Sequence, residues 1–149
     1  MSSMRWGILC VCFFCVIPAR AEVIDIDNAE LSRLLARGIP LIDIRTEGEW
    51  KSSGVIAGSR LLTFFDAAGN ANPREWLERA IVVAGPEQPV ILVCRSGNRT
   101  QAVARFLSDQ VGYRTVYNLS RGVNAWVGER RALVPPTSAM AICASGKPC

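Results

Sequence analysis

The stretch Val90 to Thr100, VILVCRSGNRT, runs from an apolar segment through a thiol and a polar loop into a helical pattern. It constrains the fold more than any other part of the chain. A β-branched apolar run without alternation is buried on both faces, as in a sheet covered by helices on each side. Cys94 stands at the carboxyl end of that strand, where α/β folds gather their chemistry. The loop N–H groups and the positive end of the following helix would stabilise a thiolate and cradle an anion. Arg95 and Arg99 add charge and directional donors. Ser96 and Asn98 read as loop-shaping residues, and Gly97 allows a backbone turn with positive φ. The competing reading is a structural cysteine that merely ends a strand. Apolar surroundings raise a thiol pKa, however, whereas this loop should lower it.

The flanking sequence supplies the partners such a strand needs. Val23–Ile26 reads as a first strand. Asp27 caps a helix from Asn28, with Glu30 completing a capping-box pattern and Gly38 stopping the apolar stripe of Leu31, Leu34 and Leu35. Pro40–Ile44 is a second buried strand. Thr46 and Glu49 mark a short capped helix that ends before Gly54, and Arg60–Phe64 is a third strand. Asn72–Ala84 is a helix with Pro73 in its first turn and Trp76, Leu77 and Ala80 facing inward, broken by Gly85-Pro86. A helix over Thr100–Val111 presents Ala102, Val103, Phe106 and Leu107. Thr115–Leu119 is the last strand, and Val123–Arg130 a closing helix. Alternating strands and helices predict an α/β domain with a mainly parallel five-stranded sheet in three layers.

Four segments in order also resemble a known family. CRSGNR followed by Thr100 resembles the active loop of the rhodanese-like sulfurtransferases. Leu41 to Trp50, LIDIRTEGEW, resembles the family's Asp-x-Arg strand end, GVIAGS at Gly54–Ser59 its Gly-His-Ile-Pro-Gly-Ala turn, and LSRGVNAW at Leu119–Trp126 its late Leu-x-Gly-Gly segment. The resemblance spans roughly residues 23 to 130. It implies a single-domain, exported rhodanese-like fold without cofactor or metal, with Cys94 as nucleophile. Arg95, Ser96, Gly97, Asn98 and Arg99 would form the anion cup, and Asp43, Arg45 and Thr100 would support it. By the same resemblance, Asp43 and Arg45 lie beside the loop, an ordinary surface ion pair being the alternative, and Trp126 packs under the domain. Val55 replaces the family's histidine, Ala57 its proline and Arg121 the first late glycine, which puts substrate in doubt more than fold.

The implied reaction moves sulfur from a small anionic donor such as thiosulfate to a thiol or protein-thiol acceptor through a Cys94 persulfide. Spacing separates this from a cysteine-dependent phosphatase, which resembles Cys-x5-Arg; Arg99 makes the pattern here Cys-x4-Arg, a tighter cup. A phosphatase also needs a general acid, for which Asp66 is the one loop carboxylate to nominate. A non-enzymatic persulfide carrier or binding module is the alternative of a different class.

Composition narrows the field. The chain has no histidine, which removes imidazole catalysis and histidine metal sites. Residues 1–21 read as a signal peptide: Arg5, an apolar run Trp6–Ile17 too short to span a bilayer, and a small-x-small site at Ala19–Ala21. Cleavage after Ala21 would remove Arg5, Arg20, Cys10, Cys12 and Cys15, lowering the formal charge from +4 to +2. That balance, without a basic stripe, argues against nucleic acid. The expectation is therefore a periplasmic or secreted monomer, with a domain over 22–132 and no membrane anchor once the signal is removed. A flexible tail over 133–149 carries Cys143 and Cys149, which either pair as a disulfide or include a resolving thiol. The three mature cysteines match no zinc spacing.

Overall fold

The computed structural model of the chain describes residues 21–137. Strands and helices alternate along it: β1 (Glu22–Ile26), α1 (Asn28–Ala36), β2 (Leu41–Asp43), α2 (Glu47–Ser53), β3 (Ser59–Leu61), α3 (Pro73–Val83), β4 (Val90–Val93), α4 (Asn98–Arg105), β5 (Thr115–Leu119) and α5 (Gly122–Gly128). After Arg105, α4 widens into a π-helical turn, Phe106–Val111, closed by Gly112 at φ +83°. The sheet order is β1-β5-β4-β2-β3 and every pairing of these strands is parallel. Parallel neighbours cannot be joined by tight hairpins, so each helix between two strands belongs to a crossover and lies on a face of the sheet.

β4 sits at the centre, and its four buried residues fill two cores at once. Val90 and Leu92 point to the face covered by α3 and α4, among Trp76, Ala80, Val103 and Leu107. Ile91 and Val93 point to the opposite face, among Leu31 and Leu34 of α1 and Val123 of α5. Full burial of each such aliphatic side chain contributes about 1.5–3 kcal/mol. The strand that carries Cys94 is thus anchored from both sides, and three layers result.

Local capping follows the sequence closely. Asp27 Oδ1 accepts the Glu30 N–H at 2.8 Å, and Thr46 with Glu49 forms a complete capping box. Asn72 is the cap of α3 and Pro73 its first residue, one position later than expected. Other boundaries move too. The third strand ends at Leu61, although Leu62 still donates to the carbonyl of Asp43 in β2 and Phe64 to that of Ile44 just past it. Starting α4 at Asn98 rather than Thr100 changes none of its inward face except that Ala104 is buried and Ala102 exposed. α5 begins at Gly122, and Arg130 at φ +57° lies past its end.

Val134, in the segment expected to be tail, pairs with Val55 through N–H···O bonds of 2.9 and 2.8 Å, and Leu133 packs on the α1 side. Apolar contact and two backbone bonds hold these residues to the domain. The expected signal segment before residue 21, with Cys10, Cys12 and Cys15, lies outside the described residues. So do Cys143 and Cys149.

Candidate active site

Cys94 lies one residue beyond β4, fully buried. The chain then turns sharply at Gly97, φ +94°, and its N–H donates to Cys94 Sγ at 3.1 Å. Only glycine fits there: a Cβ would lie 2.0 Å from the Ser120 carbonyl oxygen. From the other side, the first turn of α5 takes hold of the loop. Val123 N–H donates to the Cys94 carbonyl at 2.9 Å and Asn124 N–H to that of Arg95 at 3.0 Å. Gly122, φ +58°, permits this approach, since a Cβ would sit 2.5 Å from those same carbonyls. A helix N-terminus has free N–H groups to give. By taking up the carbonyls it leaves the loop's own N–H groups to face the thiol.

The electrostatics follow from that geometry. Burial pushes the Cys94 thiol up, but the Thr100 hydroxyl and the N–H groups of Thr100, Ser96 and Gly97 more than offset it, and the net direction is down. Thr100 Oγ1 lies 3.5 Å from Sγ and donates to the Gly97 carbonyl at 2.8 Å. Around the loop's mouth is an open cavity of about 700 Å³, walled by Arg95, Ser96, Asn98 and Arg99, by Thr46 and Glu49 of the α2 end, and by Phe65, Asp66, Ala67 and Gly69. The structure therefore gathers Cys94, Arg95, Ser96, Gly97, Asn98, Arg99 and Thr100 in one place.

Four side chains are held by partners that the sequence did not show. Arg99, nominated to draw a donor with its charge, grips Glu49 through two bonds of 2.9 and 2.6 Å. Asp43 and Arg45 form no surface pair: both are buried, with Nε 3.0 and 3.1 Å and Nη2 2.7 Å from the Asp43 carboxylate. They do not brace the active loop directly. Arg45 instead reaches Ser53 Oγ at 2.7 Å and the Gly54 carbonyl at 2.8 Å, fastening the end of α2. Asp66 accepts the Asn70 side-chain amide at 3.1 Å and the N–H groups of Asn70 and Ala68 at 2.8 and 2.9 Å, and these bonds hold its carboxyl below the usual range, where it is no proton donor.

Trp126 is partly buried on the α1 side and donates to the Ala132 carbonyl at 2.9 Å. Val55, at the position of the family's histidine, is fully buried and tied to Val134, away from any solvent. Sequence reasoning passed over Glu49 as a site residue, because its capping-box role already accounted for it. It also missed that the LSRGVNAW segment supplies the N–H groups that orient the loop.

The rhodanese-like domain family matches residues 27–129. A sulfurtransferase of Allochromatium vinosum is 30% identical over 114 residues, which cover 75% of this chain and 95% of that protein. A thiosulfate sulfurtransferase of Shewanella oneidensis is 33% identical over 91 residues, 61% of this chain and 78% of that one. The polysulfide-sulfur transferase homodimer of Wolinella succinogenes shares the fold, with a TM-score of 0.58 over 78% of this chain and 81% of that chain at 22% identity.

Proposed function

The chain belongs to the rhodanese-like domain family, and on that premise we propose that it transfers sulfane sulfur through a persulfide on Cys94. One observation carries the reading: the Gly97 N–H aimed at Sγ from 3.1 Å, in a loop whose carbonyls are held away by α5. That arrangement favours negative charge on sulfur, first as thiolate and then as persulfide. The Cys94 thiolate attacks the outer sulfur of a thiosulfate-like donor. A new S–S bond forms, and the bond to the sulfonate sulfur breaks with its electron pair leaving on sulfite. A thiol or cyanide acceptor then attacks the outer sulfur, and the pair of the Sγ–S bond returns to Cys94. No cofactor enters either step.

Two observations disfavour phosphate ester hydrolysis. The loop is a residue short of the phosphatase pattern, and Asp66 is held as an anion by its own turn. Full burial of Cys94 favours a second reading in which the persulfide is shielded and handed slowly to a protein thiol. The reading extends to location: the amino-terminal segment exports the chain, and the mature protein starts at Glu22, as amino-terminal sequencing of exported protein checks.

Intact mass after thiosulfate treatment is the test. The native chain gains one sulfur atom that cyanide removes, and Cys94→Ser gains none. No adduct on folded, reduced protein sinks the thiosulfate reading. A stable adduct that cyanide clears only slowly selects the carrier.

A further inference from the structure

Glu49 takes no part in the steps above, yet it is the best-connected carboxylate at the cavity. Its Oε2 accepts the Thr46 N–H at 3.0 Å, the Thr46 hydroxyl at 3.2 Å and Arg99 Nη1 at 2.9 Å. Its Oε1 accepts Arg99 Nη2 at 2.6 Å. Paired carboxylate and guanidinium bonds of this kind are strong and directional. Among the described residues Arg95 forms no ion pair, although it lines the same cavity. Arg99 stands in the first turn of the helix that follows the Cys94 loop and lines the same cavity, and Glu49, with a smaller contribution from Cys94, raises the pKa of its guanidinium.

We propose that Glu49 is a positioning residue that fixes Arg99 beside Cys94 and compensates its charge, leaving Arg95 as the cation that meets an anionic donor. For the donor this rests on the sulfur-transfer reading; for the thiol it does not. The arrangement has a chemical rationale. Thiosulfate arrives and sulfite departs as dianions, so two uncompensated guanidiniums would retain the product as firmly as they attract the donor. Other charges near the loop are already committed or distant in role: Asp43 and Arg45 on β2 neutralise each other, Asp66 lies across the cavity, and Arg121 is exposed at the head of α5.

The test is a titration of Cys94 in the full chain, read as ultraviolet thiolate absorbance with Cys94→Ser subtracted, which needs no turnover. Gln serves a capping box as well as Glu, so E49Q removes charge and keeps the helix cap. Its midpoint falls by about half a pH unit, the effect of one nearby screened charge. R99Q moves the midpoint up, and E49Q with R99Q brings it back near native. T46A breaks the cap, lowers the melting temperature and leaves the midpoint in place. An unchanged or raised midpoint in E49Q, or an equal shift in T46A, overturns the proposal. In thiosulfate assays R95Q raises KM about tenfold, the loss of one charge-assisted bond, and E49Q lowers it. If no persulfide forms but the midpoints behave as stated, sulfur transfer fails and the role of Glu49 stands.

Discussion

Thr100 has one hydroxyl proton and two acceptors within reach. The Gly97 carbonyl takes it at 2.8 Å, while Sγ lies 3.5 Å away. When Cys94 is a thiol, its own proton can be given to Oγ1 and both bonds stand. When Cys94 ionises, the hydroxyl can turn to sulfur and the carbonyl loses its donor. Thr100 thus favours the thiolate at some cost to the loop. Thr100→Val removes this choice, and the midpoint of Cys94 rises by about one to two pH units, the worth of a hydrogen bond to a charged group. The rate of persulfide formation at neutral pH falls accordingly and recovers as pH is raised; Thr100→Ser restores it. A pH profile unchanged in Thr100→Val would show that the Thr100 hydroxyl does not set the thiol. At this scale the sequence was legible where residues are neighbours in it. Cys94, Gly97 and Thr100 share one loop, whereas Glu49 and Arg99 meet across 50 positions.

The connection from β2 to α2 shows how an element carries the site without touching it. β2 lies beside β4, and the Ile44 N–H donates to the Val93 carbonyl at 3.0 Å. Past that point Arg45 fastens the end of α2, and α2 carries Glu49, which holds Arg99. Removing one partner of a buried ion pair leaves an uncompensated charge and costs about 3–5 kcal/mol. Asp43→Asn therefore lowers the urea midpoint by that stability, and Arg45→Lys does not rescue the role of Arg45. A single ammonium cannot serve Asp43, Ser53 and Gly54 with the geometry of a planar fork. A loss under 1 kcal/mol for either variant would mean the pair is not the fastening. Element positions were readable because caps such as Asp27 and Thr46 declare themselves locally. Their ends were less so, since β3 and α4 are bounded by partners that only tertiary contact supplies.

Over the whole molecule, the alternation of strands and helices was written in the sequence, and so was the double burial of β4. The order β1-β5-β4-β2-β3 was not, because which strands become neighbours is decided by long-range pairing. That order brings α2 to the mouth of the active loop, where Glu49 and Arg99 pair. Arg99 draws the Glu49 carboxyl down from 4.5 to about 2. A carboxylate with a depressed folded pKa binds fewer protons folded than unfolded, so stability rises with pH across the window. Its contribution is complete above about pH 4.5 and is lost as pH falls towards 2. Glu47 and Glu129 are lowered as well, but they are exposed and such pairs contribute little. The melting temperature of the native chain therefore falls between pH 4.5 and 2 more steeply than that of E49Q, and the two curves converge near the acid end, where native Glu49 is itself protonated. Parallel curves across that range would show that the pair adds no pH-linked stability, and that its bonds serve the position of Arg99 alone.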